Sequence, residues 1–296
     1  MNRLRADLLL LLAAMVWGLA FVFQKTAMAS LGPYGFIMAR ASVATMALTP
    51  LAAYEYMRVR GERSVLPNGL LRAAVVAGLA FVTAAALQQF GLQTASASNG
   101  GFLTALYVVL TPPLAWLLRG SRPSPVIVPA VVMSAVGTWM LGGGAFSALS
   151  GGDWLIAGCA VFWALHVILS ESGSSFDRPI TFTCLQFLVV ALVAALCAFV
   201  FESVTLDALW AASGEILYVG LLSSALTFTI LTAALKYAPA SEAAVIISTE
   251  SLFAALSGAL LLGEKLTPLA WAGAVLIMAA TALVQVRPQA TKREAA

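Results

Sequence analysis

Charge is scarce in this chain. Of 296 residues, 16 are Lys or Arg and 13 are Asp or Glu, so 10% are charged. A soluble domain carries about 25%. So few charges cannot cover a water-facing surface, and a soluble fold is excluded. Cysteine is scarce too. Cys159, Cys184 and Cys197 are odd in number, lie in apolar stretches and form no CxxC spacing. They read as small core residues, not a disulfide framework. The single histidine, His166, has no acidic cluster beside it, so no metal site and no cofactor are expected. HExxH and GxSxG motifs are lacking, and Ser170 and Glu171 are adjacent and so diverge on a helix. An enzyme is not expected. The formal net charge of +3 is small and dispersed, which argues against nucleic acid as a partner.

What the chain has is hydrophobicity: 61% of residues, with a mean hydropathy of +0.95. A bilayer that solvates the outside removes the need for a charged surface. Each spanning helix takes about 20 residues, so at roughly 25–30 residues per pass the chain holds ten or so spans. Apolar stretches fall at 7–29, 34–57, 69–91, 98–118, 125–142, 153–171, 179–201, 214–236, 241–262 and 268–286. Their Ala, Leu and Val runs show no period-2 alternation, which predicts helices and not a barrel. Arg3 and Arg5 before Leu8–Leu12 imitate a signal peptide, but the apolar stretch runs past residue 20 without an A-x-A site. A retained first span is expected.

Lysine and arginine set the orientation. With a cytoplasmic N-terminus, inner segments hold 13 of the 16 basic residues: Arg3, Arg5, Arg58, Arg60, Arg63, Arg72, Arg119, Arg122, Arg178, Lys236, Arg287, Lys292 and Arg293. Outer loops hold Lys265 alone, while Lys25 and Arg40 fall within spans. Both termini are therefore expected in the cytoplasm.

The two halves resemble each other. Val16-Trp17-Gly18-Leu19 matches Phe162-Trp163-Ala164-Leu165 at an offset of 146, which also pairs Phe36 with Phe182 and Arg40 with Gln186. Farther on the offset is 143, pairing Ala97-Ser98 with Ala240-Ser241, Gly120 with Gly263, and Pro125 with Pro268. A unit of five spans is odd, so the second copy enters the membrane from the opposite side. This predicts an all-α membrane protein of ten helices in two inverted repeats, residues 1–145 and 146–296. Inverted repeats are a recurring transporter architecture with cargo held near the midplane.

The Trp17-Gly18 region and the stretch Leu260-Leu261-Leu262-Gly263-Glu264-Lys265-Leu266-Thr267-Pro268 resemble the EamA-type branch of the drug/metabolite transporter superfamily. Many members carry a proline mid-span where this chain has Ser248-Thr249-Glu250-Ser251. Within the branch, the chain is similar to bacterial exporters of aromatic and other neutral amino acids. The resemblance covers essentially the whole chain and implies the same ten-helix fold and a small-molecule cargo.

Candidate pathway residues follow from depth and helical face. Trp116, Trp139, Trp154, Trp210 and Trp271 lie near helix ends, as interfacial tryptophans do. Trp17 and Trp163 instead lie about 15 Å into their spans and are repeat equivalents. They are either packing wedges or rings that line a cavity. Their neighbours favour a cavity: Trp163, His166 and Ser170 share one face, as do Trp17, Ala20 and Gln24. Thr104 and Tyr107 share another, and Tyr107 is the equivalent of Glu250. A carboxylate at the bilayer centre must face the bundle interior. Glu250 has three open roles: binding a substrate ammonium, carrying a coupling proton, or sitting protonated and hydrogen-bonded, with Ser251 beside it. His166 is a helix–helix hydrogen bonder or a proton carrier. Arg40 snorkels outward, or else attracts a carboxylate or closes a gate. Gln88, Gln89 and Asn99 are expected to be solvated at a loop end.

We therefore expect a multi-pass secondary transporter of the bacterial inner membrane, exporting aromatic and other neutral amino acids by alternating access through a central cavity. The alternative is export of drugs or other small metabolites. Its partners are the small-molecule cargo and the lipid bilayer, and a monomer is expected over an obligate oligomer.

Overall fold

Apolar runs with neither strand alternation nor interior polar stretches satisfy their backbone only as helices. The computed structural model describes residues 1–59, 66–120, 123–141, 143–144 and 150–285, and no strand occurs among them. Arg60, Arg63, Arg122, Arg287, Lys292 and Arg293, and the expected boundary between residues 145 and 146, lie outside the described residues.

The helices are α1 (Arg3–Ala27), α2 (Pro33–Val59), α3 (Leu70–Leu92), α4 (Ala97–Thr104), α5 (Tyr107–Arg119), α6 (Ile127–Leu141) and α7 (Gly151–Ser174). There follow α8 (Pro179–Phe201), the short α9 (Leu206–Ala211), and α10 (Ser213–Leu217). A π-helical stretch (Tyr218–Leu226) continues α10 into α11 (Thr227–Leu235). The chain ends with α12 (Ala240–Ile247), α13 (Glu250–Leu262) and α14 (Pro268–Gln285). Eight helical segments are long and apolar enough to cross a membrane, three of them interrupted: Ala97–Arg119, Ser213–Leu235 and Ala240–Leu262. The shorter apolar helices α6 and α14 fall where spans five and ten were expected.

The polarity of the molecule is inverted. Phe199 is 88% exposed, whereas Arg40 is 3% and Glu250 5% exposed. Lipid solvates the first, and only the bundle interior tolerates the others. Helix contacts use small residues, as expected where no hydrophobic effect drives association. A methyl group added at Gly137 on α6 would stand 2.7 Å from the Gly273 carbonyl on α14, so these helices cross backbone to backbone. The helices pair α2 with α8, α3 with α7, and α1 with α11 and α13.

Similar caps recur in the two halves. Gly120 and Gly263 end α5 and α13 in the left-handed region, at φ 67° and 70°, where glycine carries no Cβ penalty. Glu202 accepts from the amides of Tyr34 (2.9 Å) and Gly35 (2.8 Å) at the start of α2. Glu55 accepts from Ile180 (3.4 Å) and Thr181 (2.8 Å) at the start of α8. Each helix thus presents its C-terminal glutamate to the other's unpaired N–H groups. Elsewhere Asp177 pairs with Lys236, and that hydrogen bond holds the ammonium above its ordinary range.

Two long segments break at equivalent places. Thr104 is followed by Ala105 and Leu106 before α5 starts at Tyr107, and Ile247 by Ser248 and Thr249 before α13 starts at Glu250. Tyr107 and Glu250 are 143 residues apart.

Candidate functional site

The breaks place Tyr107 and Glu250 on the wall of a buried cavity, together with Trp17 and Gln24 from α1, Arg40 from α2, Thr104 from α4, and Trp163 and His166 from α7. Eight of the nine expected residues meet there. Ser251 is the exception. Its hydroxyl donates to the Ser248 carbonyl at 2.8 Å, so it stitches the helix break and does not line the cavity.

Aromatic faces form one wall. Phe228 stands 4.8 Å from Trp17 and 6.0 Å from Trp163, stacked on the latter at 20°. Phe81 packs edge-on against Trp163 at 5.0 Å. Trp17 Nε1 donates to the Ser223 carbonyl at 2.9 Å. Ser223 lies in the π-helical stretch, whose altered ladder leaves carbonyls open to such partners.

Arg40 does not snorkel outward. It is turned into the bundle, where NH1 donates to Gln24 Oε1 at 3.1 Å and Nε to Ser224 Oγ at 3.2 Å. Its Cζ lies 5.5 Å from the centre of the Phe81 ring, an arrangement that attracts a cation. These partners are worth more than a long reach to the interface. Gln88 and Gln89 are likewise buried, contrary to loop-end solvation, and Gln88 donates to Thr104 Oγ1 at 3.0 Å on the cavity wall.

Several polar atoms of the lining have no partner. His166 Nε2 lies 3.1 Å from Gln186 Oε1 and 3.4 Å from Ser170 Oγ, and Nδ1 has no partner; with the proton on Nε2, Nδ1 is an open acceptor. Trp163 Nε1 has only the weakly accepting Cys159 thiol nearby and forms no hydrogen bond with it. The Tyr107 hydroxyl faces the Glu250 carboxyl, yet neither it nor Glu250 Oε1 has a partner of normal geometry. Unpaired buried polar atoms cost about 1–3 kcal/mol each, and the four around this cavity can pair with a polar ligand. The cavity is partly open and offers about 50 Å³ to the centres of water-sized molecules. At about 10–15 Å³ per water, that holds roughly four waters or a compact ligand.

The sequence reading missed Phe21, Gln88, Val167, Ser223, Phe228 and Leu231, which also line the cavity. Gln88 and Ser223 carried a signal, as polar residues inside apolar runs. Phe21, Val167, Phe228 and Leu231 carried none, since an apolar residue in an apolar helix does not announce its face.

Relatives share this architecture. An uncharacterized transporter of Archaeoglobus fulgidus is 29% identical over 291 residues, covering 97% of this chain and 87% of that protein. The uncharacterized transporter YwfM of Bacillus subtilis is 24% identical and covers 97% of this chain and 95% of its own. The threonine/homoserine exporter RhtA of Escherichia coli K12 is 29% identical over 205 residues, 64% of this chain and 65% of that protein. A solved crystal structure superposes with a TM-score of 0.73 at 17% identity, over 95% of this chain and 96% of that one, which shows a shared fold. The EamA-like transporter family model matches residues 4–143 and again 150–286. Members of that family are transporters and not enzymes. A helical membrane chain matched along nearly its whole length, once in each half, belongs to the EamA-like transporter family.

Proposed function

We propose that this transporter exports neutral amino acids across the bacterial inner membrane by alternating access. One observation carries the reading: Arg40 and Glu250, a cation and an acid, line a single buried cavity with aromatic faces beside them. A zwitterion offers its carboxylate to the Arg40 fork and its ammonium to Glu250, and the rings receive its side chain. Arg40 is the one cation among the described lining residues, which disfavours polyanionic metabolites as cargo. A hydroxyl accepts from Trp163 Nε1 and donates to His166 Nδ1, and the relative named for threonine and homoserine points the same way. A monomeric unit is part of the proposal.

The ten-span inverted repeat is part of the proposal. Its support is the two family matches, the equivalent breaks at Tyr107 and Glu250, and the reciprocal Glu55 and Glu202 caps. It places both termini in the cytoplasm. A cysteine introduced between residues 202 and 213 should then react with an impermeant maleimide from outside, while a C-terminal tag stays protected. An external C-terminus overturns this topology.

Counterflow in proteoliposomes tests the cargo. Preloaded threonine, serine or alanine should drive saturable uptake of the labelled amino acid. No exchange of any neutral amino acid, with exchange of another metabolite class, overturns the reading. Trp163→Phe keeps the ring and removes the N–H. It should raise KM for threonine about three- to tenfold and leave valine unchanged.

A further inference from the structure

Two polar contacts join helices that line the cavity, one at each end of the bundle. Where α1 begins, Arg3 bridges Asp7 (Nε–Oδ1 2.8 Å) and Glu242 at the start of α12 (NH1–Oε2 2.6 Å). Where α7 begins, Asn99 at the start of α4 donates from Nδ2 to Asp153 Oδ1 on α7 at 3.2 Å. Asp7 and Asp153 are 146 residues apart, and Asn99 and Glu242 are 143 apart, the two offsets that align the halves. Both aspartates are buried, each 3% exposed. The second oxygen of Asp153 is held by Ser150, through its backbone N–H and its hydroxyl.

The two short helices in these contacts are alike. α4 and α12 have 8 residues each, and each runs from its contact to a break in the helix. α4 ends on Thr104 and α12 on Ile247, both on the cavity wall. Each is therefore hinged at the cavity and fastened at its outer tip to a tryptophan-bearing helix, α7 or α1.

We propose that α4 and α12 are the leaves of two gates, latched by Asn99–Asp153 and by Arg3–Asp7–Glu242. The proposal rests on the alternating-access reading. Each leaf turns about its break, at 105–106 or 248–249, where the regular ladder is already interrupted and backbone rotation meets least resistance. Movement of a leaf carries Thr104 or Ile247 away from the wall and opens the cavity at that end alone. Both latches are closed in this structure. Their contacts differ. Arg3 holds the α12 tip with two ion pairs, whereas the α4 tip is held by the Asn99–Asp153 hydrogen bond and by Ser98, which donates to the Glu264 carboxylate.

The test uses single reporter cysteines, Thr104→Cys or Ile247→Cys, in a background with Cys159, Cys184 and Cys197 replaced by alanine. The reagent is a membrane-impermeant maleimide. Asn99→Asp sets a carboxylate against Asp153 and should speed labelling of the residue-104 reporter from outside about tenfold, with no change from inside. Glu242→Ala should speed labelling of the residue-247 reporter from the cytoplasmic side of inverted vesicles by a similar factor. Asn99→Asp combined with Asp153→Asn restores an amide–carboxylate pair and should return labelling to the starting rate. If Asn99→Asp does not accumulate, Asn99→Ala carries the same arm. Unchanged labelling in both variants, or faster labelling from both sides at once, overturns the gates and leaves the cargo reading standing. One-sided responses in a chain that exchanges no neutral amino acid overturn the cargo reading and leave the gates.

Discussion

Replacing Glu250 with glutamine is expected to lower kcat/KM for neutral amino-acid export about thirtyfold or more, at every pH. Glu250 is the one carboxylate among the described lining residues, and Oε1 has no partner. Glutamine keeps the shape and one acceptor oxygen but replaces the charge with N–H donors that oppose an ammonium. Removing one side of a buried charge pair costs about 2–5 kcal/mol, and 2 kcal/mol is close to thirtyfold. The same variant separates the other two roles of this side chain. Loss of pH-driven accumulation with intact counterflow makes Glu250 the carrier of a coupling proton. Wild-type flux with wild-type pH dependence removes it from the site.

Arg40→Gln is expected to have an effect of the same order on counterflow, with KM rising more than maximal flux falls. Arg40→Lys should not restore it. The guanidinium donates to Gln24 and Ser224 and lies near the Phe81 ring, while its remaining N–H groups suit a planar carboxylate. Lysine supplies a point charge without the fork, so it matches neither the two amide and hydroxyl partners nor the carboxylate plane. Thermal stability in detergent is the control. If Arg40→Gln lowers the melting temperature in proportion to transport, Arg40 is a packing residue and the carboxylate lies elsewhere.

The face of each residue is where the sequence reading succeeded and failed. Trp17, Gln24, Trp163 and His166 lie on the cavity wall, as a spacing of three and four residues puts side chains on one stripe whatever the helix packs against. Arg40 and Gln88 were misjudged because a polar residue in an apolar span does not by itself show which way it points. For a lone polar residue, the direction depends on which helix lies alongside. Arg40 turns inward because Gln24 on α1 and Ser224 in the π-helical stretch receive it, and those partners lie 16 and 184 residues away.

The sequence by itself determined that the chain is helical and lives in a membrane. Hydropathy and charge act locally: a run of apolar residues must hide its backbone in a helix, and few charges cannot cover a wet surface. It also revealed two related halves, because collinear matches at two offsets survive without any structure. Only the tertiary structure decided where the helices break. Neither break contains glycine or proline; at 248–249 the Ser248 and Thr249 hydroxyls bond back to the Val245 and Ile246 carbonyls, but Ala105–Leu106 carries no such local signal. The breaks persist because the surrounding bundle holds both half-helices in place. Gly101 lies directly against Ala254, so α4 packs on α13 where the two segments meet. The unpaired atoms of Trp163, His166, Tyr107 and Glu250 converge for the same reason. Their positions along the chain set their depth, but the rotation of each helix about its axis, set by packing against distant segments, turned them toward one space.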